Sequence, residues 1–133
     1  MGLLGSSLAQ AIRSTLPSVN IIAISSPNSL TKALDFNLVD EGFGYDDIDQ
    51  WKDKFDLLFL CSPIEHIKAQ IIALSQSPIF FKKDAVITDI GSTKSEINLL
   101  AQKKFEDKVC FVGGHPMAGS EKQGIDGRDE KLF

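Results

Sequence analysis

Short apolar segments alternate with segments of helical periodicity along almost the whole chain. Leu4, Leu8, Ala11 and Ile12 recur at the spacing of one helix face, and Pro17 ends that segment. The same criteria predict helices over 3–16, 28–34, 64–74 and 93–104. Between them, runs rich in β-branched and other apolar residues predict strands over 19–24, 57–61, 85–90 and 109–112.

The alternation of strands with helices predicts an α/β fold with a doubly wound parallel sheet. Each connection between parallel strands must cross over the sheet, and a helix usually makes that crossover. The apolar run at 57–61 lacks polar alternation, as expected for a strand covered on both faces. Ligands of such sheets bind outside the carboxyl ends of the strands, so the residues that follow each strand are the first candidates for a site.

Two local segments predict further details of the secondary structure. Leu38 and Val39 are interpreted as a brief edge strand, and the acidic segment 40–56 as a polar connection with about one turn of helix. Thr93 and Glu96 stand in the positions of a capping box, which predicts the start of a helix there.

Composition and charge exclude several classes of protein. The 133 residues, 43% of them apolar, are typical of one globular domain, and a net charge of −4 with scattered lysines and arginines excludes a nucleic-acid partner. Because no apolar run approaches the roughly 20 residues that span a bilayer, we expect no membrane partner and a cytoplasmic location. Cys61 and Cys110 lie in predicted strands without a CxxC or histidine-rich partner, so we expect reduced core thiols and no metal site.

Glycines and small polar residues cluster where the predicted strands end. The run Gly-Leu-Leu-Gly-Ser-Ser-Leu-Ala at 2–9 is typical of the second half of a dinucleotide-binding glycine loop that continues into a helix. The strand ends further along the chain carry Ser25-Ser26, Cys61-Ser62-Pro63, Asp89-Ile90-Gly91-Ser92-Thr93-Lys94 and Gly113-Gly114-His115. This edge of the predicted sheet therefore holds the candidate site.

Each of these segments also has a purely structural interpretation. Half a glycine loop can be a simple turn, Ser92 and Thr93 can cap a helix, and Pro63 suits the first position of a helix. Asp89 is interpreted as fixing the turn after its strand, and Lys94 as ordering a loop. A lone histidine after a strand is more often structural than catalytic, so its neighbours must decide its role.

Three segments together resemble the nucleotide-binding half of prephenate/arogenate dehydrogenases, namely 2–9, Asp-Ile-Gly-Ser-Thr-Lys at 89–94 and Gly-Gly-His-Pro-Met-Ala-Gly-Ser-Glu at 113–121. They follow the family's order and spacing, and the last segment is the most specific. The resemblance implies a Rossmann-type domain that binds NAD or NADP. It also implies oxidative decarboxylation of prephenate to 4-hydroxyphenylpyruvate, or of arogenate to tyrosine, in tyrosine biosynthesis. Full-length members are expected to be homodimers.

The resemblance also implies roles for individual residues. His115 and Ser92 would be catalytic: the imidazole would accept the proton of the substrate's ring hydroxyl, and Ser92 would contact that hydroxyl and help align His115. Ser120 and Glu121 would border the substrate pocket. The cofactor would lie against Gly2, Leu3, Leu4, Gly5, Ser25, Ser26, Ser62 and Pro63. Because Ser25-Ser26 stands where NAD-specific folds place an acidic residue, the sequence favours NADP or dual use.

The family pattern opens with a strand and Gly-x-Gly-x-x-Gly, of which Gly2 and Gly5 correspond to the second and third glycines. We therefore expect residues 1–133 to be a partial NAD(P)-binding domain whose sheet lacks its first strand and whose helical dimerisation domain lies outside the chain. The alternative is a non-catalytic or vestigial nucleotide-binding domain. A third possibility, another β-hydroxyacid-type dehydrogenase, is disfavoured by the segment 115–121.

Overall fold

The structure, a computed structural model, describes residues 1–51, 53–76, 82–106 and 108–133. Its helices are α1 Leu3–Thr15, α2 Pro27–Asp35, α3 Ile48–Trp51, α4 Ile64–Gln76 and α5 Ser95–Phe105. Its strands are β1 Ile22–Ile24, β2 Glu41–Phe43, β3 Leu57–Leu60, β4 Val86–Asp89 and β5 Cys110–Gly113. Two single 3₁₀ turns follow, at Ile125–Gly127 and Glu130–Leu132.

The strands pair in two parallel sets. In the first set β1 pairs with β2, and in the second β4 lies between β3 and β5. Every ladder is parallel and helices separate the strands along the chain, which confirms the predicted α/β class. Within the described ranges, β1 and β3 each have a strand on one side only.

The chain divides into two compact units, 1–48 with 117–133, and 49–116. The core of the first unit consists of small and branched apolar side chains: Ala9, Ala23, Ala33, Leu38, Val39 and Ile125. The segment 117–133 is attached to α1 through the Asp129 amide, which donates to Ser7 Oγ at 2.9 Å. Residues from both ends of the chain therefore build one core.

The second unit packs α4 and α5 beside the three-stranded sheet. Ile67 and Ile71 of α4, Ile97 of α5 and Ile87 of β4 are fully buried. On the exposed side of the two helices, Lys68 Nζ donates to Glu96 at 2.5 Å. The apolar face predicted for the segment 64–74 is confirmed, since its isoleucines form this core.

Two predictions for the first half of the chain were wrong. Leu38 and Val39 form no strand, because both side chains are needed as core residues and are about 95% buried in a turn. Strand β2 begins instead inside the segment predicted to be a polar connection. That segment does contain one helical turn, α3, and its Lys52 lies outside the described residues.

Three predictions for the second half also need correction. Thr93 forms no capping box: Lys94 is the N-cap of α5, with no side-chain cap bond, and Glu96 is drawn to Lys68. Leu57 is 49% exposed and, within β3, only Leu60 is buried, so this strand is not covered on both faces along its length. Both cysteines were expected in the core, but Cys110 is exposed on β5 and Cys61 is half-buried; both are free thiols. Among the described residues, no helix has the length and apolarity needed to cross a bilayer.

Candidate functional site

Three turns meet at the carboxyl edge of the three-stranded sheet. The ladders place Leu60 opposite Asp89, and Asp89 opposite Gly113, so β3, β4 and β5 end at one level. The turns that follow are 61–63, 90–94 and 114–116. Parallel pairing thus brings together the strand-end segments that the sequence singled out in this unit.

Asp89 organises this edge. Its side chain is fully buried, and its Oδ2 accepts the Gly91 amide at 2.8 Å and pairs with Lys94 Nζ. Its other oxygen, Oδ1, accepts the Gly114 amide at 3.4 Å. Lys94 Nζ also donates to the Gly114 carbonyl at 2.5 Å. One carboxylate and one ammonium therefore connect the turn after β4 to the turn after β5, as the structural interpretation of Asp89 and Lys94 predicted.

Glycine is required in these turns for steric reasons. A Cβ on Gly114 would lie 2.7 Å from the Asp89 carbonyl oxygen, and a Cβ on Gly91 would lie 3.0 Å from Asp89 Oδ2. On Gly113 a Cβ would overlap the Asn98 side chain. The backbone can approach Asp89 closely from both turns only because these positions carry no side chain.

The two candidate catalytic residues lie on this edge. His115 directly follows Gly114, and Ser92 lies between Gly91 and Lys94, both of which are bonded to Asp89. Both His115 and Ser92 are exposed. A base and a hydroxyl carried by adjacent turns are suited to sharing one proton of a bound substrate. By contrast, His66 lies exposed in α4, as predicted for a surface residue.

The turn after β3 supplies Ser62 and Pro63. Ser62 Oγ accepts a hydrogen bond from Gln70 Nε2 of α4 at 3.1 Å, which orients the hydroxyl, and Pro63 is exposed. Desolvation and, to a lesser extent, the Asp89 carboxylate raise the pKa of the neighbouring Cys61 thiol to about 12. Cys61 is therefore protonated near neutral pH and has no nucleophilic role there.

The glycine turn, residues 2–5 at the start of α1, belongs to the first unit. Gly2 is the N-cap of α1 in extended backbone, and no side chain caps the helix. No described atom lies within 4 Å of a Cβ built on Gly2. The amides of the next residues, Leu3, Leu4 and Gly5, stand in the first turn, where a helix has no internal acceptors. Free donors and open space at a helix N-terminus fit a pyrophosphate.

Ser25 and Ser26 follow β1 in the same unit. Ser25 is buried, and its Oγ accepts a hydrogen bond from the Met1 amino group at 2.6 Å, whereas Ser26 is the exposed N-cap of α2. The unit thus brings the residues after β1 next to the start of α1.

Ser120 and Glu121 are both exposed. They belong to the unit of the glycine turn, whereas His115 belongs to the other unit. Ser120 Oγ accepts the Lys122 amide at 3.1 Å, which stabilises a turn.

Sequence reasoning missed two supports of this edge. Thr88 Oγ1 donates to the Val112 carbonyl at 2.6 Å and ties β4 to β5 one residue before the site. Asn98 of α5 occupies the space beside Gly113. A threonine in a strand and an asparagine in a helix carry no sequence signal of such roles. Only the pairing of β4 with β5 reveals them.

Comparison with known proteins identifies the family to which the chain belongs. Residues 8–133 match the family model described as the nucleotide-binding domain of prephenate dehydrogenase. The chain belongs to this family, and the resemblance stated from the sequence is confirmed.

The particular relatives are dehydrogenases of greater length. The chain is 36% identical to a prephenate dehydrogenase of Lactococcus lactis subsp. cremoris and 33% identical to one of Bacillus subtilis, over its full length in both cases. It spans 36% and 35% of those proteins. The structure of Aquifex aeolicus prephenate dehydrogenase in complex with hydroxyphenyl propionate and NAD⁺ matches 99% of the chain at 30% identity, with a TM-score of 0.85. The chain covers 44% of that structure, and the match confirms the Rossmann-type fold.

Proposed function

We propose that this chain is the nucleotide-binding part of an NAD(P)-dependent prephenate or arogenate dehydrogenase of tyrosine biosynthesis. The observation that carries the proposal is the position of His115. It follows the last strand of a parallel sheet, at the edge that also holds Ser92, within a chain of this family. That edge is where Rossmann-type domains carry out their chemistry.

The cofactor is assigned to the amino-terminal turn. Gly2 and Gly5 would let the pyrophosphate approach the start of α1, where the uncapped amides of Leu3 and Leu4 can donate to it. Ser62 and Pro63 would lie beside the nicotinamide. NAD is supported by the Aquifex aeolicus complex, which contains NAD⁺.

The finer choice between NAD and NADP rests on the turn after β1. Ser25 and Ser26 add no carboxylate that would repel a 2′-phosphate, and this favours NADP or dual use. We therefore include use of both nucleotides in the proposal.

The chain's own residues would manage the proton. Ser62 and Pro63 would hold the nicotinamide, which would supply a hydride acceptor for ring C4 of prephenate in a reaction that also releases carbon dioxide from C1. His115 would accept the proton of the C4 hydroxyl, which becomes a carbonyl before the ring becomes the phenol of 4-hydroxyphenylpyruvate. Ser92 would donate to or accept from the same hydroxyl and orient it toward the imidazole. General-base assistance of this kind is typically worth about 10²–10⁴ in rate.

The remaining parts of the proposal concern partners. The substrate would be a small ring compound with carboxylate groups, either prephenate or arogenate. Ser120 and Glu121 would border it. Its carboxylates and the homodimer interface would be served by a helical domain outside residues 1–133. A cytoplasmic location completes the proposal.

Titration of the purified chain with NADH and with NADPH tests nucleotide binding, and assay of the full-length protein that contains this chain, with prephenate and with arogenate, tests the activity. We expect micromolar-range binding of at least one nucleotide, seen as enhanced nicotinamide fluorescence, and oxidation of substrate with release of carbon dioxide. Nucleotide binding by the chain without turnover of either substrate by the full-length protein would favour the alternative, a non-catalytic nucleotide-binding domain. A folded chain that binds neither nucleotide would refute both.

A further inference from the structure

Both polar groups of the Gly114 backbone are held by charged side chains. Its amide donates to Asp89 Oδ1 at 3.4 Å, and its carbonyl accepts from Lys94 Nζ at 2.5 Å. That carbonyl belongs to the peptide bond that joins Gly114 to His115. The plane of this peptide sets the direction in which the imidazole leaves the backbone.

The two side chains that hold this peptide are themselves fixed. The Asp89 side chain is fully buried, whereas that of Lys94 is 26% exposed, so the pair is shielded from solvent on the aspartate side. Asp89 Oδ2 also accepts the Gly91 amide at 2.8 Å. A buried carboxylate with three donors has little freedom to move, and charge-assisted bonds are stronger than neutral ones.

The same pair also frames Ser92. Gly91, which precedes Ser92, is bonded to Asp89. Lys94, two residues after Ser92, is bonded to both Asp89 and Gly114. The turn that carries the candidate hydroxyl and the turn that carries the candidate base are therefore cross-linked by one ion pair.

We propose that Asp89 and Lys94 are positioning residues that fix the Gly114–His115 peptide and hold the two candidate catalytic turns in register. Neither acts on the substrate: their effect passes through the backbone of Gly114. The consequence for catalysis rests on the proposed function, whereas the consequence for the backbone does not. A misplacement of about 1 Å in a catalytic group can cost on the order of 10² in rate, so such support affects turnover.

Lys94→Met, Lys94→Arg and Lys68→Met separate positioning from general stability. Lys94→Met removes the donor to the Gly114 carbonyl, and Lys94→Arg keeps a cation in its place. Lys68→Met is the matched control, because Lys68 bridges Glu65 and Glu96 on the surface of the same unit. The measurements are amide hydrogen exchange at Gly114 and His115, kcat and the KM for the nucleotide.

We expect Lys94→Met to speed exchange at Gly114 by about tenfold or more. We expect it to lower kcat by about 10–10²-fold with the nucleotide KM unchanged. Lys94→Arg should restore most of both properties, and Lys68→Met should change neither. Unchanged exchange at Gly114 in Lys94→Met, or an equal effect of Lys68→Met, would overturn the proposal.

Removal of Lys94 alone leaves the Asp89 charge buried without its partner and can unfold the unit. The double variant Asp89→Asn, Lys94→Met removes both charges and keeps the size of both side chains. It should fold, yet exchange quickly at Gly114. A folded double variant with wild-type exchange would contradict the positioning role. If the full-length wild-type protein shows no turnover, the proposed function fails, and the exchange comparison still decides the role of the pair.

Discussion

Gly2 and Gly114 stand at two candidate binding edges of the same chain, but glycine is needed for different reasons. A Cβ on Gly114 would lie 2.7 Å from the backbone oxygen of Asp89, so the protein's own packing excludes a side chain there. A Cβ on Gly2 meets no described atom within 4 Å, and the backbone is extended, a conformation open to any residue. Gly114 is required by the fold. Gly2 is required, on the proposed function, by a ligand.

The difference shows how to separate structural from functional glycines. Crowding inside the protein predicts a loss of stability on substitution, whereas open space at an uncapped helix start predicts a loss of binding with no change in stability. The sheet edge that carries His115 is held in place by the buried polar contacts of Asp89. The start of α1 at Gly2, by contrast, leaves its backbone amides available to a ligand. Each of the following experiments acts on one side of this contrast.

The largest expected effect is on turnover. In the full-length enzyme, His115→Ala should lower kcat by about 10² or more, because the base that accepts the hydroxyl proton is lost, while nucleotide affinity stays the same. His66→Ala is the matched control, since this histidine is exposed in α4. Steady-state kinetics and NADH titration of both variants provide the test. An equal loss of nucleotide binding in His115→Ala would refute its assignment as the base.

Gly114→Ala should destabilise the protein by about 1–3 kcal/mol, because the added methyl group must displace the backbone of Asp89. Urea unfolding measures this change directly. Gly119→Ala is the control from the same loop, where an added Cβ meets no described atom within 4 Å. Equal stability of the two variants would show that Gly114 is not held as described.

Gly2→Ala should leave the free energy of unfolding unchanged and weaken NADH binding about tenfold, which corresponds to about 1.4 kcal/mol. The added methyl group would occupy the space through which the pyrophosphate approaches the start of α1. Fluorescence titration gives the affinity, and a parallel urea curve gives the stability. Loss of stability without loss of affinity would reverse the contrast between the two glycines.

The smallest expected effect concerns the ion pair between Arg13 and Asp40, which anchors α1. It is the exposed counterpart of the more buried pair of Asp89 and Lys94. Arg13 donates to Asp40 Oδ2 at 2.6 Å, and the Ile21 amide donates to the same oxygen at 2.8 Å. Arg13 and then the Ile21 amide lower the pKa of Asp40 below its ordinary value of 3.8. The stabilisation is therefore full above the ordinary value and is lost as the pH falls through the lowered pKa.

Asp40→Asn should cost at most about 1 kcal/mol at pH 7, since exposed ion pairs are screened by solvent. The difference from wild type should shrink as the pH falls below the lowered pKa of Asp40. Urea unfolding at pH 7 and at acidic pH measures both values. A difference that grows on acidification would contradict the direction of the shift.

Much of the fold could be predicted from local pattern. The helical spacing at Leu4, Leu8 and Ile12 and the close of the segment at Pro17 placed α1 within a residue of its end. The isoleucines of α4 identified its buried face. Leu38 and Val39 could not be assigned in this way, because two apolar residues fit a strand and a buried turn equally well. Their role depends on the core that they share with Ala9 and Ile125, which are distant in sequence.

Part of the candidate site could also be proposed from the sequence. The residues after the strands, from Ser62 to His115, could be proposed because parallel strands present their carboxyl ends at one edge and because the segment 113–121 is specific. The contact of Lys94 with the Gly114 carbonyl could not be predicted, since it spans 20 residues and depends on the register of β4 with β5. The capping-box prediction failed at the same place, because Lys94 is the N-cap of α5 and Glu96 is drawn to Lys68.

By itself, the sequence determined the class of fold, the order of its elements and the identity of the family, because periodicity and specific motifs are local properties. The tertiary structure decided which glycines are crowded, which carboxylate is buried and which backbone groups it holds. These depend on the distance between atoms that the strand ladders bring together. The link from Asp89 and Lys94 to His115 exists only once β4 and β5 lie side by side.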